Sequence, residues 1–182
     1  MFMLYAILLG LVVGVATRGR LGALGQLQFR WWPLAVGGLI VQLVLFSPLA
    51  EGVASVGPLV YVTSTAIVAV AVLTNIRQNR GFAVVAAGAL CNLAAITLNG
   101  GFMPVTPEAL AESGRTAATG YSNSLASAQP ALDMLVDRFV LPSGLPWANV
   151  FSVGDVLIAI GIALVIVTTM HAGATDQRIA FQ

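Results

Sequence analysis

Asn99-Gly100-Gly101-Phe102-Met103-Pro104-Val105 and Asn149-Val150-Phe151-Ser152-Val153-Gly154-Asp155 bracket the one long polar segment of an otherwise apolar chain. Before Asn99 the sequence runs as four apolar stretches broken by short turns, and after Ser152 it runs as a fifth. Residues 99–152 therefore read as a structured cap on one face of a small helical membrane protein.

Composition points the same way. Of 182 residues, 58% are hydrophobic and 8% charged, and the mean hydropathy is +0.94. A soluble domain carries charge on about a quarter of its residues. This chain cannot cover a folded surface with polar groups, so lipid is expected to be its main solvent. All eight basic residues are arginines, and no run of them is long enough to track a phosphate backbone. No nucleic-acid partner is expected. A single Cys excludes an internal disulfide, and one Cys with one His excludes the usual zinc sites. Neither a metal nor a cofactor is expected.

The predicted spans are about 2–16, 34–50, 59–74, 81–98 and 153–170. The first gives roughly 22 Å of helix against a hydrocarbon core of about 30 Å, so its ends must sit close to the interfaces. No basic residue precedes it and the first charge is Arg18, which favours a retained helix over a cleaved signal. Gly10 and Gly14 form a Gly-x-x-x-Gly pair that lets another helix approach. Arg18, Arg20 and Arg30 flank Leu21, Leu24 and Leu27, a pattern that predicts a short helix lying in the interface. Trp31 and Trp32 then anchor the entry to the second span, with Pro33 in its first turn.

Polar residues within the spans are few. Gln42 and Asn92 lie deepest, and each is expected to make an interhelical hydrogen bond worth about 0.6–2 kcal/mol. Thr63, Ser64 and Thr65 can bond back to their own helix. The fourth span holds many alanines with Gly88, which suits the middle of a bundle. Ser152 and Asp155 fit a capping box on the fifth, and His171 follows at its end, where a cation meets the helix dipole.

Arg18, Arg20, Arg30, Arg77, Arg80 and Arg178 all fall on one side if five helices alternate. The other side holds Arg115 and Arg138 with Glu51, Glu108, Glu112, Asp133 and Asp137. The positive-inside rule then places the N-terminus and the cap outside and the C-terminus in the cytoplasm. The fold class expected is an all-α membrane protein. It would be a single integral membrane domain over residues 1–182, with five transmembrane helices and a long outer loop carrying one or two short surface helices.

Within the cap, Asn99-Gly100-Gly101 should end the fourth helix with glycines at positive φ. Thr106-Pro107-Glu108 reads as the start of a brief helix ending near Ser113-Gly114. Residues 115–127 are rich in Ala, Thr, Ser and Gly, with no apolar period, and are expected to be mobile. From Pro130, Leu132, Leu135, Val136 and Phe139 share one helical face while Asp133, Asp137 and Arg138 share the other. An amphipathic helix is predicted there, stopped by Pro142 and Pro146, with Trp147 marking re-entry into the interface.

Three motifs stand in order: Asn99-Gly-Gly-x-Met-Pro-Val, Leu135-x-Asp137-x-Phe139-x-Leu141-Pro142 and Asn149-Val-Phe-Ser-x-Gly-Asp155. Following an N-terminal hairpin with Gly19-Arg20-Leu21, they resemble a family of small bacterial membrane proteins catalogued as a domain of unknown function. The resemblance implies a helical protein of the bacterial inner membrane with no established activity.

The candidate ligand-binding residues are Asn99, Gly100, Gly101, Met103, Asn149, Ser152 and Asp155. Asn99, Asn149 and Asp155 are expected to meet. They would either satisfy open backbone groups at two helix ends or form the polar floor of an outward-facing pocket. Two functions compete. One is a non-catalytic binding or assembly subunit of a membrane complex, supported by the lack of mid-membrane charge and of a nucleophile–base pair. It would contact the lipid bilayer and other membrane subunits through small-residue helix faces. The other is a membrane enzyme or carrier for a lipid-like molecule at the outer leaflet, with Glu108, Asp137 and Asp155 as acid–base candidates. Ion conduction is disfavoured without a ring of charges.

Overall fold

The computed structural model describes residues 3–113, 124–141, 144 and 149–179. It is mostly helical. The elements are α1 (Met3–Ala16), α2 (Trp32–Leu45), α3 (Gly57–Leu73), α4 (Arg80–Leu98), β1 (Met103–Val105), α5 (Pro107–Ser113), β2 (Ser124–Ala126), β3 (Phe139–Val140), β4 (Val150–Phe151) and α6 (Val153–Ile179). α4 and the apolar part of α6 are long and apolar enough to cross a membrane, while α1, α2 and α3 are apolar but shorter.

The five apolar helices pack in a series that does not follow chain order: α1 lies on α6, α6 on α4, α4 on α3 and α3 on α2. The closest seam is α4 against α6, and glycine makes it possible. Gly81 faces Gly161 and Gly88 faces Gly154 in antiparallel register. Seven residues are two helical turns, so each pair of glycines points at the same neighbour. A Cβ added at Gly81 would lie 2.6 Å from the Val165 nitrogen, and one at Gly161 would lie 2.6 Å from the Val85 nitrogen. No side chain fits either gap. α1 uses Ala6, Gly10 and Gly14 in the same way against Ala163 and Met170 of α6, as the Gly-x-x-x-Gly spacing predicts.

Side-chain cores form at both ends of the bundle. Leu45, Tyr61, Ala95, Ile96 and Met103 tie α2, α3 and α4 to β1, with Phe46 packed edge-on against Tyr61. Val72, Phe82, Val85, Ala86 and Val165 join α3, α4 and α6 at the arginine end, where Phe29 from the connector packs at a tilt against Phe82.

Helix ends follow their sequence signals. α4 stops in a Schellman motif: Gly101 N–H donates to Ile96 C=O (2.9 Å) and Gly100 N–H to Thr97 C=O (3.4 Å), with φ +72° at Gly100 and +87° at Gly101. α1 ends in the same pattern, with Arg18 in place of glycine at the left-handed position (φ +66°). Thr106 caps α5, its hydroxyl accepting from Ala109 N–H at 3.3 Å.

Several boundaries differ from the sequence reading. α2 ends at Leu45 rather than near residue 50, because Pro48 has no N–H to continue the ladder and disfavours helical backbone before it. A 3₁₀ run, Pro48–Val56, follows. The interfacial segment after α1 is also a 3₁₀ helix, Leu21–Gln26; its leucines at i, i+3 and i+6 still align, because 3₁₀ geometry has three residues per turn. α6 continues to Ile179, so His171 does not stand at its end.

The larger correction lies in the cap. Residues 130–141 do not form an amphipathic helix. They hold a single 3₁₀ turn, Asp133–Leu135, followed by β3. Their backbone groups are committed elsewhere: Asp137 N–H donates to Pro104 C=O (2.9 Å) and Asp137 C=O accepts from Thr106 N–H (3.0 Å). β3 also pairs antiparallel with β4. Backbone bonded across to other strands cannot also close helical turns. β2 pairs parallel with β1, Met103 opposite Ser124, so the end of the segment expected to be mobile is an ordered strand. Phe2, Gly114 to Asn123, Pro142, Pro146 and Trp147 lie outside the described residues.

Candidate functional site

The start of α6 is pinned to α4 by three polar side chains. Asn92, two turns before the end of α4, donates from Nδ2 to Asp155 Oδ1 at 2.9 Å. Ser152, completely buried, places its hydroxyl 2.9 Å from Asn92 Oδ1 and 3.1 Å from Asp155 Oδ2. Ser152 Oγ also accepts from Asp155 N–H at 3.1 Å, and Asp155 Oδ2 accepts from Ser152 N–H at 3.0 Å. The last two bonds are a reciprocal capping box, which satisfies donors that the first turn of a helix leaves open. Asp155 in that turn also meets the positive end of the helix dipole. Gly154 is what admits Asn92: a Cβ there would overlap the Asn92 side-chain oxygen.

Asn99 is engaged elsewhere. Its Nδ2 donates to Ala95 C=O (2.7 Å) and Ala131 C=O (2.9 Å), and its Oδ1 accepts from Ala131 N–H (2.9 Å). One side-chain amide thus pairs with both backbone groups of one residue and holds the cap on the end of α4. Gly100 and Gly101 make the turn beside it, and Gly101 lies against Pro58 at the start of α3 so closely that no Cβ fits. Met103 is buried in the core in β1. Asn149 sits just before β4, and its backbone oxygen accepts from Leu141 N–H at 2.8 Å.

Five of the seven predicted residues therefore serve two arrangements: Ser152 and Asp155 join Asn92, while Asn99, Gly100 and Gly101 close α4 and grip Ala131; Met103 is core and Asn149 stands apart. Asn92 belongs to the first arrangement and stood outside the candidate set, although its depth in the span had marked it for an interhelical bond. Gln42 also makes one, from Nε2 to Thr65 Oγ1 at 3.2 Å. Of the acid–base candidates, Asp155 is in the α4–α6 network, Asp137 is buried beside β1, and Glu108 is exposed on α5.

Asn75 carries a second clamp that the sequence reading missed. It is fully buried. Its Oδ1 accepts from Arg30 N–H (2.7 Å) and its Nδ2 donates to Arg30 C=O (2.9 Å) and Ala71 C=O (2.7 Å). An asparagine one or two residues past a helix end was the available signal, because such a residue can reach the helix's own i−4 carbonyl and a passing chain together.

At the same end His171 bridges α6 and α1. Its Nδ1 lies 2.8 Å from Val167 C=O and its Nε2 3.1 Å from Thr17 C=O. Only the doubly protonated ring donates to both oxygens. The bonds to Val167 and then Thr17 hold its pKa above the usual 6.5. The helix end it meets is that of α1, through the carbonyl of Thr17 directly after it, and not that of α6. Among the described residues no group of three His, Cys, Asp or Glu side chains converges as a metal site.

Residues 26–167 match a family described as a family of unknown function, DUF5317. No curated protein and no solved structure matches the chain.

Proposed function

The chain belongs to the DUF5317 family, and from that premise we propose a small polytopic protein of the bacterial inner membrane that acts as a non-catalytic binding or assembly subunit of a membrane complex. In this reading it is one integral domain over residues 1–182, with spans at about 2–16, 34–50, 59–74, 81–98 and 153–170. The N-terminus and cap lie outside and the arginine-bearing turns lie in the cytoplasm. Cysteine labelling checks the orientation: a reagent confined to the outside should modify residues engineered beside Arg115 and spare those beside Arg77. The reverse pattern overturns it.

One observation carries the assembly reading. Among the long helices α2 packs chiefly on α3, and Leu34, Leu39, Ile40, Leu43 and Val44 stand exposed around it, Leu43 at 74%. The deep polar side chains, by contrast, are satisfied within the chain. What the protein presents inside the bilayer is an apolar edge helix, suited to lipid or to a partner helix. A photo-crosslinker at Leu43 should capture a defined membrane protein that also copurifies in mild detergent. A lone monomer in native membranes counts against the reading.

The alternative, a membrane enzyme or carrier for a lipid-like molecule, has one observation in its favour. A groove of about 460 Å³ runs between α1 and α6, lined by Tyr5, Leu9, Val13, Ile160 and Leu164 among others; its nearly all-apolar wall matches an acyl or isoprenoid chain. Ordered lipid there, reaching toward Asp155, would favour it. Asp155→Asn separates the two readings. If the acid only caps α6, the variant loses about 1 kcal/mol of stability and keeps its partners. Loss of activity in a stably folded variant would favour the lipid-handling reading.

A further inference from the structure

At the arginine end three elements converge on an open cleft of about 540 Å³: the connector after α1, the start of α4 and the late turns of α6. Its polar groups divide into two classes. Some are spent on the wall itself. Asn79 accepts from Gly81 N–H through Oδ1 and donates to Thr168 Oγ1 at 2.7 Å, and Thr168 in turn donates to Leu164 C=O. Gln78 donates from Nε2 to Asn75 Oδ1 at 3.0 Å. The others face the cleft with no hydrogen bond or ion pair to the described residues: the side chains of Gln26, Gln28 and Arg80. Among the described residues, no carboxylate lines the cleft.

The unspent groups define a ligand. Arg80 offers five donors and no acceptor, in a fork that matches phosphate oxygens. Gln26 and Gln28 each offer donors and an acceptor together, the complement of a hydroxyl group. Arg30 and Arg77 on the adjoining segments add positive potential. We infer that this cleft binds a phosphate ester whose organic part carries hydroxyl groups. Two sources share that chemistry: the headgroup of an anionic phospholipid such as phosphatidylglycerol, and a soluble ester such as glycerol phosphate. No residue of α2, on which the assembly reading rests, lines the cleft, so the site stands apart from that reading. Only the lipid source requires the protein to be in a membrane.

Native mass spectrometry of the full chain released from nanodiscs tests the inference. With phosphatidylglycerol doped into phosphatidylcholine, the anionic lipid should be retained preferentially, and Arg80→Gln should weaken that retention about tenfold. Arg77→Gln, on the same turn but outside the cleft, should change it less than about twofold. Equal losses from the two variants would mean a diffuse field of arginines and would overturn the site. So would the absence of any preference in the wild-type protein. Glycerol phosphate that displaces the lipid and is itself weakened by Arg80→Gln would keep the site and assign it the soluble ester. The double variant Gln26→Ala/Gln28→Ala should lose the preference for phosphatidylglycerol over phosphatidic acid, which lacks the hydroxyls; an undiminished preference overturns the hydroxyl assignment. Arg80 has no partner among the described residues, so an unchanged melting curve is expected for its variant. Carbonate extraction reads membrane integration separately from any of these outcomes.

Discussion

The two ends of the bundle use the same device under different conditions. At the arginine end Asn75, past the end of α3, clamps both backbone groups of Arg30; at the carboxylate end Asn99, past the end of α4, clamps both backbone groups of Ala131. In each case the amide also donates to the carbonyl four residues back, Ala71 or Ala95. In each case the clamped residue precedes a non-glycine residue in left-handed backbone, Trp31 (φ +64°) or Leu132 (φ +55°), and a helical turn starts directly after it. That conformation costs an ordinary L-residue roughly 1–2 kcal/mol. The clamp holds the strained turn against the helix end and offsets the cost. The difference is the burial of the asparagine: Asn75 is fully enclosed and Asn99 half-buried, while the clamped residues Arg30 and Ala131 are both exposed. The same three bonds should therefore be worth more at one end than at the other, because water can replace them only where it reaches.

The sharpest break in that comparison is Asn75→Ala. It removes the partner of the part-buried Arg30 N–H and C=O and one of the two donors to the buried Ala71 C=O, and a loss of about 2–3 kcal/mol is expected. Thermal unfolding in detergent should show a large drop. Asn99→Ala removes the matching bonds where solvent can substitute, so about 1 kcal/mol is expected. That loss should appear first as faster hydrogen exchange around Ala131 with the helices still protected. Equal losses at both ends would refute burial as the deciding variable.

Leu132→Gly tests the strain directly. Glycine adopts positive φ without a Cβ penalty, and Leu132 is largely exposed, so the change should be neutral or stabilising by at most about 1 kcal/mol. A clear destabilisation would show that the side chain matters more than the backbone. The smallest effect concerns His171, which exists only at the arginine end. Its folded-state pKa is raised above 6.5 by the bonds to Val167 and Thr17. Its contribution is therefore fully present below about pH 6.5 and disappears as pH rises through the folded-state value. The difference in melting temperature between the wild type and His171→Ala should shrink with rising pH. A pH-independent difference would show that the ring acts by packing alone.

Much of the fold was legible where a local signal and burial agree. Pro33, Pro58 and Pro107 open helices, the Gly100-Gly101 pair closes one, and Ser152 with Asp155 caps another. The failure at residues 130–141 is equally instructive. Leu132, Leu135, Val136 and Phe139 have helical spacing, yet β1 and β4 supply backbone partners that a periodicity argument does not see. Asn75 escaped notice because its value depends on Arg30, 45 residues away in the chain. Asn92 was noticed for its depth, but the approach of Gly154 that turns depth into a specific contact belongs to two helices at once.

The apolar segments, the helix caps and the gathering of most arginines in a few turns can be read from the chain alone, because each rests on short-range spacing or on composition. That α6 lies between α1 and α4, that one asparagine amide grips Arg30 and another Ala131, and that the cap is strand-paired came only with packing. Those outcomes depend on which backbone groups come within hydrogen-bonding distance after packing, and that distance is a property of pairs of segments rather than of either one.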